Sequence, residues 1–337
     1  MRLLSELRLL DRDYDLKTIN GSVSVPLLRY LERSELDKLK HKIPEVIFEE
    51  RDFEPREKKP RNLEEALAGK VPPDVFAELP RSFDIIGDIA ILESRPALAH
   101  FEEGIARALL DTQSNVKGVF AKTGPVTGPE RVRPLRHLAG EDRTVTVHKE
   151  FGCSFKVDLA RVFFSPRLST EHQRVAGQVV LGERVVDMFA GVGPFSILIA
   201  KTVKNVRVDA IDSNPVAARF AEENARTNRV ESRIRVHLGD AREVVGKLGH
   251  VATRVIMNHP SAARDFVGGA CDLLLPSGGV VHYYTFAEGE DSDLRAKTEL
   301  ADAVEASGHK MGGVVGVRKV REVAPMNWQI AVDAEII

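Results

Sequence analysis

Apolar and polar positions change rhythm several times along the chain. Residues 19–28 alternate around Asn20-Gly21, and residues 32–41 form a polar stretch of helical character. Phe83-Asp84-Ile85-Ile86 and Ile89-Ala90-Ile91-Leu92 flank Gly87-Asp88, which predicts a hairpin. Leu98, Phe101, Ile105 and Leu109 then recur at helical spacing, and strand-like runs follow at 118–121, 144–148 and 155–157. Beyond about residue 162 the two rhythms alternate. Strands are expected at 184–189, 206–211, 233–238, 253–257 and 279–286, and helices at 194–202, 215–227, 260–275 and 292–306. Such alternation predicts a mostly parallel sheet with helices on both faces. Two last strand-like runs, 312–321 and 328–336, have no helix between them and predict a closing antiparallel hairpin. The expected fold is α/β: a Rossmann-like domain over 163–337, preceded by two small α+β units at 1–52 and 73–162. A charged, proline-bearing linker is expected over 53–72.

The loop after the first strand of that last domain carries the most chemistry. Val185-Val186-Asp187 runs into Met188-Phe189-Ala190-Gly191-Val192-Gly193-Pro194-Phe195, an apolar strand ending in an acid, a glycine turn, then a helix. Nucleotide-binding α/β domains begin this way. Glycine lets the backbone turn sharply and approach a ligand, because no Cβ intervenes. A dinucleotide fingerprint wants a third glycine where Ser196 stands. Asp212 closes the next strand, the usual place for a carboxylate that binds ribose hydroxyls. Asp187, Gly191, Gly193 and Asp212 therefore suit a nucleoside cofactor without a pyrophosphate, with S-adenosylmethionine the leading candidate. Without a ligand, the same residues would make a bare strand–turn–helix corner. The closing hairpin fits methyltransferase architecture better than that of a dehydrogenase.

Other residues read two ways. Asp240, after the third strand, reaches the same sheet edge as an adenine contact or caps the next helix. Asn258-His259-Pro260 follows the fourth strand: a rigid turn whose amide could read a planar base edge, or a loop in which Pro260 starts a helix. Glu171 and Arg167 precede the first strand, and their spacing alone makes them helix-end and surface residues. Residues 117–149 hold Lys117, Lys122, Arg131, Arg133, Arg136, Arg143 and Lys149 around a Gly- and Pro-rich loop. That is a solvated face or an arm for phosphates.

Composition narrows the classes. Of 337 residues, 43% are hydrophobic, enough for two or three folded domains. Cys153 and Cys271 are the two cysteines, too few for a disulfide framework or a four-cysteine zinc site, and fit a reducing, cytoplasmic setting. No apolar run approaches the roughly 18 residues of a membrane span, and the charged N-terminus is unlike a secretory signal. The net charge of −2 announces no nucleic acid globally, although a local basic face stays compatible with it.

Several linked segments closely resemble one family. They are His137-Leu138-Ala139-Gly140-Glu141-Asp142-Arg143-Thr144, Phe164-Ser165-Pro166-Arg167-Leu168, the 187–195 loop and His282-Tyr283-Tyr284. In order and spacing they are similar to the archaeal and eukaryotic tRNA (guanine-N1)-methyltransferases that modify guanosine 37, just 3′ of the anticodon. The similarity runs from about residue 115 to the end and is weaker over the first 80 residues. It implies a class I methyltransferase domain, two RNA-contacting domains before it, tRNA as partner, S-adenosylmethionine as cofactor and no metal; a monomer is expected. It implies Glu171 as general base, Arg131 on the guanine oxygen, and Asn258 with Pro260 framing the base. The implied cofactor contacts are Phe163, Arg167, Asp187, Phe189, Gly191, Gly193, Asp212, Asp240, Asn258 and Pro260. Phe163, His172 and His259 depart from the tyrosine, arginine and apolar residue expected at those positions.

Guanine N1 is a poor nucleophile until its proton leaves, so a carboxylate base and a cation near the oxygen suit the reaction. The target base must also leave the loop stack. Two rivals share the residues: an aminocarboxypropyl transferase of wyosine-type base synthesis, and a tRNA-binding protein that keeps a degenerate cofactor fold.

Overall fold

The computed structural model describes residues 4, 6–19, 21–55, 60–80, 82–124 and 132–337. The chain divides into two compact units, Met1–Arg61 and Asn62–Ile337. In the first, β1 (Lys17–Ile19) and β2 (Ser22–Ser24) pair antiparallel about the expected turn, of which Asn20 lies outside the described residues. Helix α1 (Arg33–Lys42) starts in a capping box in which Glu32 and Glu35 satisfy each other's backbone N–H groups. Among the described residues of this unit, the Leu9 and Leu39 side chains are enclosed.

The second unit opens with two short helices, α2 (Leu63–Leu67) and α3 (Pro73–Ala77), then β3 (Asp84–Ile86), β4 (Ile89–Glu93), α4 (Glu102–Thr112), β5 (Gly118–Lys122) and β6 (Leu135–Gly140). These strands form a four-stranded sheet in chain order, whose core gathers Ile105, Leu109, Val119 and Leu92. The predicted hairpin at Gly87 is tight because β7 (Val145–Glu150) approaches it. A Cβ on Gly87 would lie 2.1 Å from Thr146 Oγ1 and 2.6 Å from the Val147 carbonyl oxygen.

Strand β7 pairs with β8 (Cys153–Asp158) as a separate ribbon. The outer edge of β8 is satisfied by side chains. Asn224 accepts from Lys156 N–H at 2.7 Å and donates to its carbonyl at 3.0 Å, and Asn228 does the same for Ser154 at 2.9 and 2.7 Å. Both asparagines lie at the end of α7 (Pro215–Thr227), so they tie the ribbon to the larger domain as a neighbouring strand would.

That domain runs α5 (Ser169–Gln178), β9 (Arg184–Asp187), α6 (Pro194–Thr202), β10 (Arg207–Asp212), α7, β11 (Ile234–Leu238), α8 (Ala241–Leu248), β12 (Arg254–Met257), α9 (Val267–Leu273), β13 (Gly279–Glu288), α10 (Ser292–Ala306), β14 (Met311–Ala324) and β15 (Asn327–Ile336). The strand order is β11-β10-β9-β12-β13-β15-β14. The first five are parallel, and β15 runs antiparallel to both its neighbours, giving the closing hairpin. One apolar core lies on each face of this sheet. The single helix expected over 260–275 is shorter. Residues 258–262 are wound into a turn, with His259 N–H on the Met257 carbonyl and Ala262 N–H on that of His259. A single-turn 3₁₀ segment, Ala263–Phe266, then precedes α9.

Candidate functional site

The strand order reverses between β9 and β12, and a doubly wound sheet opens a crevice at the carboxyl ends of its strands there. Loops after β9, β10, β11 and β12 meet at a cavity of about 320 Å³. Phe163, Phe189, Gly191, Asp212, Asp240 and Asn258 all line it, so six of the residues singled out in the sequence converge. A neighbouring cavity of about 400 Å³ shares Met188, Arg242 and Phe266 but holds none of those six.

Asp212 organises the loop as well as facing the cavity. Its Oδ2 accepts from Gly191 N–H at 2.7 Å and its Oδ1 from Asn214 N–H at 2.9 Å. Gly191 and Gly193 have φ of +56° and +89°, which L side chains rarely adopt. Gly193 itself lies behind the cavity as the residue before Pro194, where an added Cβ would meet Ile197 Cδ1 at 3.0 Å. The opposite wall is aromatic: Phe189 packs edge-on against Phe266 with centroids 4.9 Å apart, and the Arg242 guanidinium lies 4.2 Å above the Phe266 ring. Asp240 caps α8, its carboxylate accepting from Arg242 N–H at 2.8 Å, and it also lines the cavity. An acid at the end of β10, an aromatic wall and a glycine turn fit the nucleoside half of S-adenosylmethionine.

Asp187 is wholly buried beneath the loop and accepts from the Ser196 hydroxyl at 2.8 Å. Burial, with the Asp212 charge adding to it, pushes its carboxyl up to about 7. It latches the loop to α6. Pro260 is buried outside the lining, and half-exposed Arg167 donates through Nε to Asp84 at 2.7 Å. Arg131 lies outside the described residues.

Glu171, in the first turn of α5, is fully buried and outside the cavity lining. Three donors converge on Oε1: Arg174 Nε at 2.9 Å, Arg174 Nη2 at 2.5 Å and the Tyr284 hydroxyl at 2.8 Å. Its Oε2 makes no hydrogen bond among the described residues and has Arg318 Nε 3.6 Å away. The departure at His172 leaves this carboxylate alone, since the imidazole turns to Glu150 Oε1 at 2.7 Å.

From Arg174 a file of buried charges crosses the sheet. Arg174 bonds both oxygens of Asp333, Asp333 Oδ1 meets His282 Nδ1 at 2.7 Å, and His282 Nε2 faces Arg254 Nη1 at 2.8 Å. Arg254 ends the file on Glu183 with bonds of 2.8 and 3.0 Å. Arginine only donates, so His282 Nε2 accepts, its proton sits on Nδ1, and the ring is neutral. Burial, against the pull of Asp333, lowers the His282 pKa in the same sense.

Sequence reasoning passed over Arg174, Arg318, Gln329 and Arg321, and gave Tyr284 no role beyond its place in the His282-Tyr283-Tyr284 segment. Arg174 had a signal, its i+3 spacing from Glu171 on a helix. Gln329 had a fainter one, a polar side chain set between the apolar Trp328 and Ile330 of β15.

The model of the TRM5/TYW2 methyltransferase domain matches residues 146–309, and that of the TYW2 N-terminal domain matches 63–144. The chain is 38% identical over 337 residues to tRNA (guanine(37)-N(1))-methyltransferase Trm5b of Pyrococcus abyssi, across 99% of this chain and 94% of that protein. It is 33% identical over 250 residues to a tRNA(Phe) (4-demethylwyosine(37)-C(7)) aminocarboxypropyltransferase of Methanocaldococcus jannaschii, across 74% of this chain and 96% of that one. Among solved structures, the complex of aTrm5 and tRNALeu superposes with a TM-score of 0.74 at 34% identity, covering all of this chain and 96% of that one.

Proposed function

Because this chain belongs to the TRM5/TYW2 methyltransferase family, on its tRNA (guanine-37-N1)-methyltransferase branch, we propose that it methylates N1 of guanosine 37 in tRNA from S-adenosylmethionine. The match to the Pyrococcus protein, over 99% of this chain and 94% of that one, carries this reading. The aminocarboxypropyl transferase matches only three quarters of the chain. No helix among the described residues is long and apolar enough to cross a membrane.

Bound in the cavity, S-adenosylmethionine supplies an electrophilic methyl group. Asp212 would take the ribose hydroxyls, the wall built by Phe189 and Phe266 would face the adenine, and Asn258 would meet the target base. Glu171, the general base that the family resemblance implies, would accept the N1 proton through Oε2, since Oε1 already takes three donors, and would have to reach the base from its buried place outside the cavity lining. Arg131 meets the negative charge that grows on the guanine oxygen, a role carried over from the family resemblance. The unit Met1–Arg61 serves as a tRNA-docking module, and the chain works as a cytoplasmic monomer, since docking and catalytic units share one polypeptide.

A second reading of Glu171 has its own observation: it is fully buried and holds Arg174 and Tyr284, which suits an anchor. Glu171→Gln separates the two. As the base, it loses at least about a hundredfold in single-turnover rate while stability and cofactor affinity hold. As an anchor, it loses stability first.

The function itself is tested with labelled S-adenosylmethionine on two unmodified transcripts, carrying guanosine or adenosine at position 37. The expected product is 1-methylguanosine in the first alone. A mass gain of an aminocarboxypropyl group would move the chain to the other branch. No gain, with cofactor bound, would leave a tRNA-binding protein.

A further inference from the structure

Gln329 is 1% exposed, and both ends of its amide are engaged. Its Oε1 accepts from Arg321 Nε at 2.8 Å, and its Nε2 donates to Asn258 Oδ1 at 3.1 Å. Arg321 Nη1 also donates to Ser165 Oγ at 3.1 Å, which pins the guanidinium to the segment leading into α5. An asparagine or glutamine amide can often be turned end for end, but here an arginine closes the file. A guanidinium only donates, so the Gln329 atom facing it is the oxygen. The glutamine nitrogen then faces Asn258, which answers with Oδ1. Its Nδ2 has no hydrogen bond among the described residues, on a side chain that lines the cavity.

We propose that Arg321 and Gln329 are positioning residues that hold Asn258 so that it offers the target base an N–H donor. The inference rests on the methyl-transfer reading of the cavity. A donor at this point matches an acceptor edge, such as the guanine carbonyl, and repels the N1–H edge. The carbonyl gains negative charge as the N1 proton leaves, so the contact strengthens in the transition state. Asn258, with its oxygen occupied, takes no part in accepting that proton.

Two near-isosteric substitutions separate polarity from packing. In Gln329→Glu the carboxylate keeps Arg321 but only accepts, so Asn258 must turn Nδ2 inward and show Oδ1 to the base. In Gln329→Met the file is cut and Asn258 is left unforced. Single-turnover methyl transfer should fall at least about tenfold in Gln329→Glu and less in Gln329→Met. A packing role gives the reverse order, because Glu keeps the arginine pair, and that order would overturn the proposal. In an Asn258→Ala background, Gln329→Glu should cost nothing further; a repeated loss there also overturns it.

A readout free of turnover uses the Asn258 side-chain NH₂ resonances, assigned by their disappearance in Asn258→Ala. They should exchange readily with water in the parent chain, with one proton protected in Gln329→Glu. Unaltered resonances in a folded Gln329→Glu protein would sink the proposal. The expected resonances in a protein that makes no 1-methylguanosine would instead sink the functional reading alone.

Discussion

Tyr284 donates its hydroxyl to Glu171 at 2.8 Å, although the two residues lie 113 positions apart. Neither side chain reaches solvent, so the bond joins a neutral donor to a carboxylate inside the core. Burial, reinforced by the Glu171 charge, pushes the phenol well above its ordinary pKa and keeps it a donor. Tyr284→Phe should lower the unfolding free energy by about 1.5–3 kcal/mol, the range for a hydrogen bond to a charged group. Urea denaturation reads the loss, and an unmoved midpoint would show that Arg174 alone satisfies Glu171. Affinity for S-adenosylhomocysteine should hold, since Tyr284 does not line the cavity.

The file from Glu183 to Arg174 predicts strong coupling. Arg254→Met would leave the Glu183 carboxylate in a largely buried place without its cation and His282 Nε2 without its donor. The expected cost is about 3–5 kcal/mol, as for other buried pairs that lose one partner. Adding Glu183→Gln should recover much of it, because the stranded charge is gone. Additive losses in a double-mutant cycle would mean that the two residues act separately.

These relationships separate what the sequence carries from what it hides. Helices α6 and α7 are legible to the residue, because Pro194 and Pro215 mark their first turns and the apolar rhythm runs through them. The cavity is legible for a topological reason: once strands alternate with helices, Asp212, Asp240 and Asn258 all emerge at one sheet edge. The buried charge file is hidden because its links depend on register. Asp333 meets His282 only because β15 lies antiparallel on β13 with those two residues opposite each other. Gln329 reaches Asn258 across 71 positions for a similar reason. The overlong helix at 260–275 shows the opposite failure, since composition alone does not reveal that residues 258–262 are wound into a turn.

Asp212 should dominate cofactor affinity. It faces the cavity and also fixes Gly191 and Asn214, so Asp212→Ala removes a ligand acceptor and loosens the loop together. Isothermal titration with S-adenosylhomocysteine should show about a tenfold to hundredfold weaker Kd, equivalent to about 1.4–3 kcal/mol. Asp212→Asn keeps an acceptor and should lose less. Equal affinities for the parent chain and Asp212→Ala would remove Asp212 from the binding site.

Asp187 gives the chain a pH-dependent weakness in its catalytic domain. Its carboxyl titrates near 7 in the folded protein against an ordinary 3.8, because burial disfavours the anion. Between those values the folded state keeps a proton that the unfolded chain has released. Stability from this group is therefore greatest in acid, falls as pH rises from about 4 to about 7, and is flat above. The full excursion is about 4 kcal/mol at most. Asp187→Asn keeps an oxygen to accept from Ser196 and removes the titration. The substitution should leave stability similar at pH 4.5 and raise it relative to the parent chain at pH 8, as read by urea denaturation at both values. A shift of equal size at the two pH values would mean that Asp187 ionises as freely in the folded state as in the unfolded chain.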